Sequence, residues 1–259
     1  MSRDNNDSTR SEIYRRFRVY VMGQRPDLSG YKRTHDGAEG DWLTRKMGLT
    51  VNGDNEPDFD GFEMKKDSQK VSFGDWSPNI ALYPGRGRCG ELTRIDFLRA
   101  FGVTRIDAGR AGGDRYSWSG DAFPKVGLTN KSGQNLSVSI DGDISVTYSY
   151  SKDTRPYRTD VVPSRYREAE VKLVVWTSDY MRIRVESKFN VRGWFICLKN
   201  KRGEYDRLLF GPPLNYERFL YLVRTGVAYC DCGMHSDTSR PYMTWRAAKS
   251  VWESLADTP

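Results

Sequence analysis

Pro57-Asp58-Phe59-Asp60-Gly61-Phe62-Glu63-Met64-Lys65 sets down a carboxylate, a second carboxylate five residues on, and a lysine two residues beyond that. Side chains two apart on a strand share a face, so Glu63 and Lys65 are expected to project together while Met64 turns towards a core. Asp58 closes a turn rich in Asn, Asp and Pro (Asn52 to Asp58), from which it can converge on the pair. Two convergent carboxylates suit a hard cation such as Mg²⁺. A lysine beside them can orient an attacking water and stabilise negative charge building on phosphorus. The chemistry these residues fit is hydrolysis of a phosphodiester. Asp60 offers a second acid beside Asp58, and the sequence leaves open which of the two is the ligand. Solvated strands also alternate Glu with Lys, so the string gains meaning only from its context.

With 259 residues the chain can bury one large core or two interlocked lobes. Hydrophobic residues make up 37% and aromatics 13%, the composition of a packed protein and not of a disordered one. No segment approaches the roughly 18 apolar residues of a membrane-spanning helix, and no basic amphipathic helix suggests a membrane surface. The polar, acid-bearing stretch Met1–Arg10 is no secretory signal and reads as a frayed tail. Formal net charge is +7, and the 41 basic residues divide into 28 Arg and 13 Lys. Arginine bonds phosphates and guanine edges bidentately, so this excess favours a nucleic-acid partner. Cys89, Cys197, Cys230 and Cys232 do not space out as a disulfide framework. Cys230 and Cys232 with His235 lack the spacing of a common zinc finger and read as ordinary thiols of a reducing cytoplasm.

Along the chain, Ile13, Tyr14, Phe17 and Val21 fall on one face of a helix over Ser11–Val21. Ala38–Leu49 reads as a second helix with Trp42, Leu43 and Met47 as its buried stripe and Gly48 near its end. Glu39 lies on the same side as that stripe, either as an acid with a task or as a first-turn acid answering the helix dipole. Val71–Trp76 is an expected strand. Pro84-Gly85-Arg86-Gly87-Arg88 is a flexible basic loop able to hold a phosphate through Arg86 and Arg88, followed by a helix carrying Leu92, Ile95, Leu98 and Phe101. Leu136–Ile140 and Ile144–Tyr150 alternate around Asp141-Gly142, a hairpin signature. Val171–Trp176, Met181–Val185 and Trp194–Leu198 read as strands, and Tyr216–Val223 as a short helix. Residues Gly233 to Arg246 read as a loop leading to a helix around Trp252. Its His235, Arg240 and Arg246 suit base edges and phosphates, while Tyr242 and Trp245 suit a core.

The chain resembles the MvaI/BcnI-type restriction endonucleases of the PD-(D/E)XK nuclease superfamily, which are akin to the mismatch-repair nicking enzyme MutH. The likeness lies in Glu39-Gly40-Asp41-Trp42-Leu43 ahead of Met47-Gly48, then Pro57-Asp58 with Gly61-Phe62-Glu63-Met64-Lys65. Phe73-Gly74-Asp75-Trp76, Phe210-Gly211-Pro212-Pro213 and the Gly233-Met234…Tyr242…Trp245-Arg246 tail extend it. The resemblance implies a type II restriction endonuclease that cuts double-stranded DNA at a short specific sequence with Mg²⁺ and leaves 5′-phosphate ends. It implies Asp58 and Glu63 as metal ligands, Lys65 serving the attacking water, and Glu39 as a supporting acid. The implied fold is α/β (α+β mixed), a central mixed sheet flanked by helices. The whole chain would form one endonuclease domain with a catalytic lobe around 39–76 and a DNA-recognition lobe that includes about 205–250. A companion DNA methyltransferase acting on the same site is implied, with either a monomer or a dimer as the working form. Two other readings stay open: a strand-nicking repair endonuclease, and a DNA-binding protein whose acidic motif is structural.

Overall fold

Three segments far apart in sequence build one compact unit: Met1–Val71, Ile183–Tyr216 and Ala247–Pro259. The computed structural model describes residues 3–31, 37–51, 54–85 and 89–256. Numbered along the chain, the first helix, α1 (Arg3–Tyr20), buries Ile13 and Phe17, with Val21 just past its end. Tyr14, expected on that face, is 46% exposed. The frayed tail expected over Met1–Arg10 is corrected: from Arg3 onward these residues are the first turns of α1, Thr9 is buried, and the Arg10 guanidinium lies 5.0 Å from the Phe210 ring centroid. α2 (Ala38–Lys46) buries Trp42 and Leu43, and Gly48 takes the left-handed conformation (φ +73°) that ends a helix.

The sheet of this unit runs β1-β9-β10, from β1 (Phe62–Lys66), β9 (Gly193–Lys199) and β10 (Tyr205–Gly211), with β1 parallel to β9 and β10 antiparallel to it. Phe62, Met64, Phe195, Cys197 and Phe210 join Ile13, Phe17, Trp42, Leu43 and Met47 in one apolar cluster, so α1 and α2 share a core with one face of the sheet. On the other face Glu63 is in register with Trp194, and Lys65 with Ile196. Here Trp252 of α7 (Lys249–Leu255) meets Trp194 edge to face at 5.0 Å and Phe189 at 5.9 Å.

Phe189 ends α5 (Ser178–Phe189), whose residues from Ile183 belong to this unit. This corrects the strand expected over Met181–Val185. A five-residue apolar alternation fits a strand as well as a helix fragment, and the longer pattern decides: Met181, Val185 and Phe189, four apart, are all buried, whereas Ile183 is 67% exposed.

Gly211 ends β10 where an added Cβ would run into the indole of Trp194. Gly211→Ala is therefore expected to cost about 1–3 kcal/mol through overpacking, read as a lower unfolding midpoint in urea. An unchanged midpoint would mean that the indole has room to move aside.

The second unit comprises Ser72–Arg182 and Glu217–Arg246. One sheet has five strands in the order β2-β12-β11-β5-β4: β2 (Lys70–Asp75), β4 (Val103–Arg105), β5 (Arg115–Ser119), β11 (Tyr229–His235) and β12 (Tyr242–Ala248). The other has four, in the order β3-β8-β7-β6: β3 (Ile80–Ala81), β6 (Ser132–Val138), β7 (Ile144–Asp153) and β8 (Val171–Trp176). The β6–β7 hairpin forms as expected. Its tip is wider than a two-residue turn, because Ser139 and Asp143 still pair (N–H to O, 2.9 Å) and Gly142 takes φ +92°. Two buried indoles find acceptors: Trp118 donates to Gln134 Oε1 at 2.7 Å and Trp176 to the Trp76 carbonyl at 2.7 Å. α3 (Arg94–Phe101) is capped by Thr93, whose Oγ1 accepts from the Asp96 N–H at 3.1 Å. The carbonyls of Ala100, in its last turn, and of Gly102, just past its end, accept from the buried Arg155, which Asp153 neutralises at 2.7 Å. α4 (Arg158–Val161) and α6 (Tyr216–Arg224) complete the unit, the latter over the expected residues.

The loop expected from Gly233 to Arg246 is corrected to an antiparallel hairpin of β11 and β12 whose connection is only Ser236–Pro241. Met243, Trp245 and Ala247 are buried at the period of a strand, a pattern masked by the polar residues before it. Trp245 is fully buried as expected, whereas Tyr242 is 40% exposed. Among the described residues no helix is long and apolar enough to cross a membrane.

Candidate active site

Asp60 and Gly61 form a two-residue turn. Phe59 and Phe62 exchange N–H···O bonds of 2.9 and 2.8 Å across it, and both corner residues take positive φ, +41° and +89°. That is the backbone of a type I′ hairpin, for which Asp-Gly is a favoured pair. Because Phe59 opposes Phe62, the next residues outward are Asp58 and Glu63, and opposed residues share a face. The two phenyl rings enter the core cluster, while the carboxylates stand together on the other side. Asp58 Oδ2 accepts the Met64 N–H at 2.9 Å, which fastens the loop along the outer edge of β1.

Glu63 and Lys65 project together, as their spacing predicts. Lys65 Nζ lies 2.7 Å from Glu63 Oε1, and both side chains are buried. A residue that sequence reasoning missed completes the group: Lys188, from the last turn of α5, places its Nζ 3.0 Å from the same Oε1. No spacing or motif in the sequence announces it. Burial raises the Glu63 pKa above the ordinary carboxylate range in spite of Lys65, and it lowers that of Lys65 in spite of Glu63. Lys65 also sits 5.2 Å from the Phe189 ring centroid.

Glu63 Oε2 is buried and has no hydrogen-bond partner. A buried carboxylate oxygen left unpaired is costly, and here it is an acceptor held ready beside the Asp58 carboxylate. Among the described residues no set of three or more His, Cys, Asp or Glu gathers as a metal cage. The donors present are a carboxylate pair, which suits a cation that keeps waters and substrate oxygens in its shell. The residues thus fit Mg²⁺.

Glu39 lies elsewhere. Its Oε1 accepts from Lys199 Nζ at 2.7 Å and Tyr205 Oη at 2.8 Å, and Lys66 Nζ is 3.6 Å from Oε2. Lys66 points to the face opposite Lys65, so Glu39 is not brought to Glu63. Burial pushes its carboxyl up, but the bonds from Lys199 and Tyr205 outweigh that and hold it below the usual range. Asp60 is likewise engaged: its Oδ2 accepts from Thr9 Oγ1 at 2.7 Å and from Arg192 at 2.8 Å.

Of the residues expected at DNA, Arg86 and Arg88 lie outside the described residues. His235 ends β11, and burial, then the neighbouring Arg115, keeps its imidazole below its ordinary pKa. Arg240 is exposed on the β11–β12 connection. Arg246 lies on β12 with its Nε 2.8 Å from Asp231 Oδ2, so its charge is already matched within the hairpin. Cys230 and Cys232 are buried on β11, and burial raises both thiols.

A family model described as LlaMI restriction endonuclease matches residues 22–258. The type II restriction enzyme ScrFI of Lactococcus lactis subsp. cremoris is 34% identical over 258 residues, spanning 92% of this chain and 94% of that protein. Among solved structures, the restriction endonuclease MvaI in complex with its cognate DNA substrate superposes with a TM-score of 0.58 at 12% identity. That match covers 99% of this chain and 98% of the other. At that identity the likeness speaks for the fold, which is of the PD-(D/E)XK type.

Proposed function

Since this chain belongs to the LlaMI restriction endonuclease family, we propose that it hydrolyses double-stranded DNA at a specific short sequence, using Mg²⁺ and leaving 5′-phosphate ends. The observation that carries this reading is the convergence of Asp58, Glu63, Lys65 and Lys188, with Glu63 Oε2 buried and unpartnered.

Asp58 and Glu63 would hold the cation, which supplies Lewis-acid stabilisation of the phosphate and a more acidic water. Lys65 Nζ holds its proton towards Glu63 Oε1 and, with its pKa lowered by burial, is suited to exchange a proton with the attacking water. Lys188 Nζ keeps positive charge beside Glu63 while negative charge builds on phosphorus. Trp194, Phe189 and Trp252 pack on the same face of the sheet and keep bulk water from it. Glu39 supports the site from behind, pairing Lys66 of β1 with Lys199 of β9 so that the two strands stay in register. A DNA methyltransferase protecting the same sequence is the partner this chemistry requires in a cell.

Incubating plasmid DNA with the purified protein and sequencing the ends tests the proposal. Discrete fragments with 5′-phosphates are expected in Mg²⁺, and intact plasmid in excess EDTA. Robust cutting in EDTA would overturn the metal-dependent chemistry, and random ends would overturn sequence specificity.

A further inference from the structure

Arg105 of β4 stands directly opposite Arg115 of β5. Like charges across an antiparallel pair destabilise it, and among the described residues neither guanidinium is ion-paired, although the connection between them carries Asp107 and Asp114, where the Asp107 N–H donates to Asp114 Oδ1 at 3.3 Å. Arg115 Nε is buried without a hydrogen-bond partner. Among the described residues no ion pair is formed by Arg105, Arg110 or Arg115. The connection from 106 to 114 is rich in glycine, with positive φ at Asp107, Gly112 and Gly113, and it leaves Ile106 78% exposed. Its position is nevertheless fixed: the Arg110 N–H donates to Asp237 Oδ2 at 3.2 Å, and the Ser236 N–H to the Tyr116 carbonyl at 2.9 Å. The hairpin is thus tied to the connection that carries Arg240. Guanidinium groups set opposite one another and held without ion-pair partners are suited to a polyanion, whose phosphates supply those partners.

We propose that the β4–β5 hairpin is a DNA-reading arm, in which Arg105 and Arg115 grip phosphates and Arg110 is presented to base edges beside Arg240. The proposal rests on the nuclease reading above for the identity of the polyanion. Strand residues at the neck are rigid and suit the sequence-independent contacts. The tip, whose exposed side chains stand free of the sheet, suits a groove, where the arginine fork matches guanine.

Two measurements test it. The first is the salt dependence of binding to a short duplex of arbitrary sequence in Ca²⁺, which does not depend on cleavage. Arg105→Gln/Arg115→Gln is expected to lower the slope of log K against log salt by about 2, at roughly 0.9 for each phosphate contact. The same variant should unfold at an unchanged or higher temperature, because the repulsion is gone. The second measurement is competition in Ca²⁺ between a duplex bearing the sequence the wild-type protein cuts and one altered at a single base pair. Arg110→Ala is expected to reduce that preference roughly tenfold. An unchanged slope, a sharply lower unfolding temperature for the neck variant, or an intact preference for Arg110→Ala would each overturn the arm. If the wild-type protein leaves plasmid intact while the slope still falls, the nuclease reading fails and the DNA surface stands.

Discussion

Lys65→Ala is expected to reduce single-turnover cleavage of duplex DNA by roughly 10²–10³-fold, while the variant still binds the cognate duplex in Ca²⁺. Two features of the site explain why the loss should be large and confined to chemistry. Lys65 is buried against Glu63 at 2.7 Å, so no mobile surface cation can take its place. Lys188 remains 3.0 Å from the same oxygen, so the Glu63 carboxylate keeps a positive neighbour and the strand should stay folded. Lys188→Ala is expected to cost less, roughly tenfold, as the loss of one electrostatic contributor among several. Rates measured under single-turnover conditions separate these effects from product release. Cleavage by Lys65→Ala within a few-fold of wild type would remove the residue from the chemical step.

Asp58→Ala and Asp60→Gly should part company by at least about 10²-fold in the same assay, with Asp58→Ala the inactive one. Asp58 stands across the hairpin from Glu63 with one oxygen on the Met64 N–H. Asp60 sits in the turn with φ +41° and spends its carboxylate on Thr9 and Arg192. Glycine at position 60 keeps the turn, because positive φ costs it nothing. Circular dichroism and urea unfolding of both variants guard against loss of fold being read as loss of catalysis. An active Asp58→Ala beside a dead Asp60→Gly would reverse the assignment.

Much of this site could be read from one short string because its geometry is local. The step of two between Glu63 and Lys65 needs only a strand. The step of five from Asp58 to Glu63 rests on the two-residue turn at Asp60-Gly61, whereas the sequence reading puts the turn before Asp58, over Asn52 to Asp58. The apolar stripes of α1 and α2 were legible for the same reason, since a helix writes its buried face at a fixed period. Lys188 was not, because its approach to Glu63 depends on where α5 packs and leaves no trace in local spacing. The strand expected at Met181–Val185 failed where too short a window was asked to choose between two periods. Glu39 shows a different limit: its place beside the Trp42 stripe was visible, but whether it faces Lys65 or Lys66 depends on which side of β1 that helix covers. Arg105 and Arg115 are separated by a glycine-rich connection, and only their strand pairing shows that they are opposed.

The register of β1 also bears on how the protein comes into being. Among the described strands the only neighbour of β1 in its sheet is β9, and Phe62 must wait for Gly193. Closing so long a loop is slow and entropically costly. A chain emerging from the ribosome carries Asp58, Glu63 and Lys65 early, yet it has no partner strand on which to set them and no Lys188 beside them until far more has been made. Trp252, which packs on that face, arrives later still. A nascent or truncated chain ending before Gly193 is therefore expected to be unable to cleave DNA. The cell that makes this enzyme meets its cutting power only in finished molecules.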